Sequence, residues 1–213
     1  MNPTTPASVT WYFDFISPYS YLAQQTLRQL PPGTPLQREP VLFAGMLNHW
    51  GQKGPAEIAP KRQWTYRSCL WLARKYGVPL RMPAAHPFNS LPYLRLAIAA
   101  GRSATAIETI FAALWTTGAD PADPQLLAGL TRTLHVEAAK LADPAVKNAL
   151  REATQRAVEQ GVFGVPSLVV RGQVFWGADS VDFAAAYLED PAILENDEMR
   201  RADTLPVGAA RAV

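Results

Sequence analysis

Two serines three residues apart, Ser17 and Ser20, stand where an apolar strand turns into a helix. The strand is the alternating run Val9-Thr10-Trp11-Tyr12-Phe13, which leads through Asp14-Phe15-Ile16 into Ser17-Pro18-Tyr19-Ser20 and then Tyr21-Leu22-Ala23. Pro18 suits a first helical turn, because the N–H it lacks would have no partner there. The free N–H groups and positive end of such a helix stabilise an anion, a thiolate included. Redox proteins place a Cys-x-x-Cys pair at this kind of position, yet both cysteine positions here are serine. A thiolate-stabilising turn without its own thiol points to a thiol supplied by a second molecule, with glutathione the natural candidate.

A second segment, Gly161-Val162-Phe163-Gly164-Val165-Pro166-Ser167, lies far away in sequence. In thioredoxin-like folds a Val-Pro step entering the third strand is cis and faces the redox turn. It exposes the N–H and C=O of the preceding residue, which can pair with an extended peptide such as the cysteinyl part of glutathione. A plain turn entering a strand is the alternative reading of the same residues.

The elements between these segments follow from periodicity. Residues 18–30 carry Ala23, Thr26, Leu27 and Leu30 at helical spacing, and Pro31-Pro32-Gly33 stops that helix. Leu36–Phe43 alternates well enough for a second strand. From Ala44 to about residue 160 the pattern is helical: a stripe of Cys69, Leu72, Ala73 and Tyr76, then 91–100, 104–115, 125–134, and a helix opened by Pro144. Ser167–Val170 and Val174–Trp176 flank a Gly172-Gln173 turn and read as a hairpin, with a last helix over 180–188. The expected architecture is α/β, a thioredoxin fold interrupted by an inserted all-helical domain. Its thioredoxin-like part spans 1–43 and 160–190, the insertion 44–159, and a loosely docked tail 191–213.

Composition narrows the function classes. With 48% hydrophobic and 18% charged residues the chain is globular. A net charge of +2 without a Lys/Arg run gives no electrostatic claim on nucleic acid or an anionic membrane. No apolar stretch approaches the roughly 20 residues that span a bilayer, and Met1–Pro6 has neither part of a secretory leader. The single cysteine, Cys69, excludes an intramolecular disulfide, and the expectation is a reducing, cytoplasmic compartment.

Taken together, Phe13-Asp14-Phe15-Ile16-Ser17-Pro18-Tyr19-Ser20-Tyr21-Leu22-Ala23, His86-Pro87-Phe88-Asn89, Gly161-Val162-Phe163-Gly164-Val165-Pro166 and Phe175-Trp176-Gly177-Ala178-Asp179 carry a resemblance over about residues 9–188. The chain resembles the 2-hydroxychromene-2-carboxylate isomerases, a DsbA-like group that includes the kappa-class glutathione transferases. The resemblance implies that Ser17 helps ionise the glutathione thiol and that Val165, before a cis Pro166, pairs with the cysteinyl unit. It implies that Asp179 and Ser180 hold the γ-glutamyl end and that Lys61 reaches a glutathione carboxylate. It also implies a homodimer. Two departures stand out: Gly51-Gln52 where related proteins often carry Gly-Asn, and Asp179-Ser180 where they often carry Asp-Arg.

The expected activity is glutathione-dependent isomerisation of 2-hydroxychromene-2-carboxylate to trans-o-hydroxybenzylidenepyruvate, in aromatic-hydrocarbon breakdown. A kappa-like transferase conjugating electrophiles and a non-catalytic thioredoxin-like binding module are the alternatives. Ser17 and Ser20 exclude a dithiol oxidoreductase. Tyr19, beside Ser17, is the expected apolar wall for the substrate. Asn89 either lines the substrate pocket or caps the helix at Leu91. Tyr21, Trp64, Trp71 and Trp176 read as core aromatics, Cys69 as a buried structural thiol, and Arg67 and Arg74 as solvated charges. His49, His86 and His135 show no metal-ligand spacing, and no metal is expected.

Overall fold

The structure, a computed structural model, describes residues 7–209. Residues 1–6, read above for a leader, and residues 210–213 of the expected tail lie outside the described residues. Four strands form one sheet in the order β2-β1-β3-β4. β1 (Val9–Phe13) runs parallel to β2 (Leu36–Pro40), with Val9 opposite Leu36 and Phe13 opposite Pro40. Its other edge pairs antiparallel with β3 (Ser167–Val170), and β3 pairs antiparallel with β4 (Gln173–Trp176). Helix α1 (Pro18–Thr26) crosses from β1 to β2. Between β2 and β3 the chain is helical throughout: α2 (Phe43–Trp50), α3 (Ala59–Tyr76), α4 (Leu91–Ala99), α5 (Ala104–Trp115), α6 (Pro124–Thr133) and α7 (Pro144–Glu159). Helix α8 (Val181–Glu189) follows the hairpin, and α9 (Asp197–Asp203) comes last. This is the α/β thioredoxin fold with a helical insertion that the order of elements predicts.

Local chemistry places most boundaries. Asp123 and Asp143 cap α6 and α7 by accepting the N–H groups of Gln125 and Ala145, each ahead of a proline at the first helical position. Gly77, at φ 66°, closes α3 in the left-handed conformation that glycine adopts without steric cost.

Two expectations need correction. The second strand ends at Pro40 and does not reach Phe43, because the Phe43 N–H opens α2. The hairpin turn is Arg171-Gly172, at φ 50° and 82°, the two left-handed residues a type I′ turn requires, and Gln173 already belongs to β4. The described part of the tail contains a short 3₁₀ turn (Pro191–Leu194) and the exposed helix α9.

β1 carries two cores because its side chains alternate. Trp11 and Phe13 face one side and continue into Phe15, and Phe111 of α5 packs against all three, with ring centroids 6.2, 5.7 and 4.6 Å apart. Tyr12 faces the other side, where Val41, Met46, Ala153, Ala157 and Val169 join α2 and α7 to the sheet. Strand and insertion therefore share buried surface on both sides of the sheet.

The turn after β1 is fastened by side chains from distant elements. The Trp115 indole N–H donates to the Phe15 carbonyl at 2.9 Å, and His86 Nε2 meets the Ile16 carbonyl at 2.8 Å. A carbonyl only accepts, so Nε2 carries a proton, and the Tyr66 hydroxyl lies within reach of two acceptors, His86 Nδ1 at 2.8 Å and the His86 carbonyl at 2.9 Å. Burial holds the His86 pKa below its ordinary value, with the Ile16 bond opposing and Arg62 reinforcing the shift. Asp14, 1% exposed, accepts the Ile16 N–H at 3.1 Å on one oxygen and the Phe43 N–H at 2.9 Å on the other. Burial pushes its carboxyl up to about 6 despite these bonds and one from Ser90.

Two outcomes follow from this packing. Phe111→Ala, which empties the contact between α5 and three aromatic side chains, should cost about 3–5 kcal/mol in urea unfolding; a loss under about 1 kcal/mol would contradict the shared core. The Asp14 carboxyl has a higher pKa folded than unfolded, so the folded state binds its proton more tightly. Its contribution to stability is full below about pH 4 and falls by about 3 kcal/mol as pH rises through about 6. Unfolding midpoints measured from pH 4 to 7 should show this slope in the wild type and lose it in Asp14→Asn; parallel profiles would count against the buried carboxylate.

Candidate functional site

Ser17 is the N-cap of α1: its Oγ accepts the Ser20 N–H at 3.1 Å, and Pro18 takes the first helical position. Its residue is only 8% exposed. The hydroxyl proton has a single partner among the described residues, the Val165 carbonyl at 3.5 Å, which is at the outer limit of a hydrogen bond. The oxygen is thus fixed by the helix end while the O–H stays available to a stronger acceptor. Ser20, at the second position of the motif, is fully buried with an unpartnered Oγ, so it lies behind the turn and does not face an entrant.

The Val165-Pro166 bond is cis, as the sequence predicts. It brings Val165 against Ser17 across 148 positions of chain. The Val165 N–H has no acceptor among the described residues, and its carbonyl has only the long Ser17 contact. Both main-chain groups of this residue therefore stand free to pair with an extended peptide. The Pro166 carbonyl accepts the Gly177 N–H at 2.9 Å and so ties the 177–180 loop to the same place.

That loop carries Asp179 and Ser180. Asp179 is exposed and lies near enough to Tyr19 to oppose its ionisation. The Ser180 hydroxyl donates to the Gly177 carbonyl at 2.9 Å, which fixes the loop and commits that proton. Gly177 sits at φ 110°, a conformation that L side chains rarely adopt, which suits the loop to glycine there. Tyr19 is half-buried, with its hydroxyl beside Ser68 and Cys69 of α3, and burial raises its pKa first of all. Burial likewise drives the Cys69 thiol up to about 12 against its bond from Tyr19, which makes it the inert structural thiol expected.

The other expected residues are less tightly drawn in. Lys61 is exposed in the first turn of α3, seven residues before Ser68, which places it on the same face and about 10 Å along the axis. Asn89 is exposed and uses its Oδ1 to accept the Leu91 N–H at 3.1 Å, the capping alternative of its two readings. Arg67 and Arg74 are exposed.

Of the four aromatics read as core, only Tyr21 is buried. Trp64 and Trp71 stand out on α3, which buries only Thr65, Cys69 and Ala73, a stripe one residue wide. Trp176, 55% exposed, packs at a tilt against Phe163 with ring centroids 5.2 Å apart, and a β-carbon on Gly164 would come within 2.6 Å of its indole nitrogen. Phe163 and Trp176 thus form an apolar surface directly beside Val165. Sequence reasoning missed this pair as a surface, and the signal for it was the Phe-Gly step just before Val-Pro. Asp14, Tyr66, His86 and Trp115 are the residues that hold the turn and that sequence reasoning did not assign a role. The His86-Pro87 bond is also cis.

Among the described residues no group of three His, Cys, Asp or Glu side chains could hold a metal ion, and no helix is long and apolar enough to cross a membrane. Comparison with known proteins agrees with the geometry. The 2-hydroxychromene-2-carboxylate isomerase of Sphingobium xenophagum is 33% identical over 192 residues, which cover 86% of this chain and 98% of that protein. Glutathione S-transferase kappa 2 of Caenorhabditis elegans is 30% identical over 86% of this chain and 92% of its own length. A solved 2-hydroxychromene-2-carboxylate isomerase superposes with a TM-score of 0.74 at 27% identity, covering 90% of this chain and 98% of that one. Residues 8–189 match the family described as the DSBA-like thioredoxin domain, and the chain, with serines at both positions of the turn, belongs to that family.

Proposed function

We propose that the protein is a glutathione-dependent isomerase that interconverts 2-hydroxychromene-2-carboxylate and trans-o-hydroxybenzylidenepyruvate. The observation that carries this reading is the Ser17 hydroxyl, capped at its oxygen and loosely held at its proton, facing a residue with both main-chain groups free. Likeness to a relative with this activity over 98% of its length supports the choice of substrate.

The residues present fit glutathione as a co-substrate. Val165 offers an N–H and a C=O to the cysteinyl unit, Asp179 a carboxylate to the γ-glutamyl ammonium, and Lys61 a cation to a terminal carboxylate. Bound glutathione would supply a thiolate that adds reversibly to the conjugated C=C bond; with the hemiketal C–O bond opened to ketone and phenol, rotation would take place about a single bond before the thiol leaves. Ser17 donates its O–H to that sulfur, and the N-terminus of α1 adds its positive end, each worth ~1 kcal/mol or more where water is scarce. The fixed backbone of the turn spares the site any reorganisation as charge develops. Phe163, Trp176 and Tyr19 offer the aromatic substrate its apolar surface. Serine in place of cysteine leaves no thiol for a mixed disulfide, which keeps the site out of redox exchange. Assembly as a homodimer in a cytoplasmic setting belongs to the same proposal.

A second reading, conjugation of electrophiles, has its own support in the kappa-class relative. The two differ in what leaves the site. Isomerisation returns glutathione, and conjugation consumes it.

Equilibration of 2-hydroxychromene-2-carboxylate, followed by ultraviolet absorbance, should be fast only with both protein and glutathione, and the glutathione should be recovered unchanged. Ser17→Ala should slow it by about 10–100-fold and move the half-maximal pH upward by about 1–2 units, because more base is then needed to form the thiolate. An unshifted pH profile at full rate would remove Ser17 from the mechanism, and a stable conjugate as product would favour the transferase.

A further inference from the structure

A cleft of about 390 Å³ opens between α2, α4 and α7, and none of its lining residues belongs to the thiol site. Its walls combine an apolar base, Leu42, Leu91 and Leu150, with three cations, Arg95, Lys147 and Arg151. No carboxylate lines it. His49, at the end of α2, adds an imidazole to the same wall.

The cations are uncommitted. None of the three side chains makes an ion pair or hydrogen bond among the described residues, and Arg95 Nε is buried with no partner. Two nearby carboxylates are engaged elsewhere: Glu39 of β2 meets Arg102 and Arg156 at 3.5 and 3.4 Å, and Glu159 of α7 accepts from Gln155 at 2.9 Å. Thr154, also in the wall, spends its hydroxyl on the Leu150 carbonyl and the Leu42 N–H. An unpaired buried guanidinium N–H is costly unless a ligand completes it. Three cations around an apolar base also repel one another until an anion enters.

We propose that this cleft is a binding site for a small amphipathic carboxylate, an acid whose apolar body lies on Leu42, Leu91 and Leu150 while its carboxylate meets Arg95, Lys147 and Arg151. The volume lies within the range of small-molecule sites. Inorganic anions match only the rim, and neutral aromatics only the base, so the site selects for both parts in one molecule. The assignment rests on the cleft alone and holds whichever reaction the thiol site performs.

Backbone-amide NMR of the full chain, titrated with benzoate at constant ionic strength, tests it. The expected result is saturable shifts confined to residues 42–49, 91–95 and 147–158. Benzyl alcohol and inorganic phosphate should each bind at least tenfold more weakly. Lys147→Gln combined with Arg151→Gln, both at exposed positions, should weaken benzoate at least tenfold while glutathione-dependent activity is kept. The proposal is overturned if benzoate shifts appear only around Ser17, Val165 and Asp179, if they fail to saturate, or if the double variant binds benzoate as the wild type does. Phosphate binding as tightly as benzoate would overturn the amphipathic class of ligand.

Discussion

The backbone from Phe15 to Ser17 is held by three side chains that lie far apart in sequence, and the geometry of the candidate site rests on that fastening. Trp115 takes the Phe15 carbonyl, His86 the Ile16 carbonyl and Asp14 the Ile16 N–H. Each bond is worth about 1 kcal/mol net, yet leaving any of these buried groups unpaired would cost about 1–3 kcal/mol. Helix propensity alone would leave a Ser-Pro turn free to choose among cap conformations. With its carbonyls and N–H groups spoken for, the turn has one, and Ser17 caps α1 in a fixed orientation toward Val165.

Asp14 joins this turn to the start of α2, because its two oxygens serve Ile16 and Phe43 separately. A buried carboxylate is a costly way to make that joint, as its raised pKa shows. Its advantage is geometric: an ionised carboxylate accepts from both N–H groups, whereas an amide oxygen accepts and its NH₂ end cannot. Through Phe43 the same carboxylate also ends β2 early. Sheet edge, helix start and candidate site are thereby one connected arrangement.

The helical insertion is accordingly more than a cover. Phe111 fills the core beneath Trp11, Phe13 and Phe15, and Trp115, one turn further along α5, reaches the turn itself. From the next wall, the Tyr66 hydroxyl of α3 meets both the His86 ring and its carbonyl and so anchors the residue that serves Ile16. On the opposite side of the sheet α7 and α2 pack over Tyr12 and Val169, and the basic cleft opens where α4 meets them. Residues on β3 and the loop after β4 approach the turn only because the hairpin pairs with β1 in antiparallel register.

What the sequence determined by itself was local. Strand β1, the proline-led start of α1 and the Ser17 cap are set by residues in contact along the chain, so short motifs reveal them. The type I′ turn was missed by one residue, because an arginine at positive φ leaves no mark in the sequence. Periodicity could not separate Trp115, buried and bonded to the turn, from Trp64 and Trp71, exposed on α3, because all three sit in helical patterns and only the neighbours differ. Nor could it say that Asp14 would meet a peptide N–H 29 residues away or that His86 would fasten a carbonyl 70 residues away. Those roles belong to tertiary structure, since a polar side chain acquires one only when packing removes water and leaves a single partner within reach.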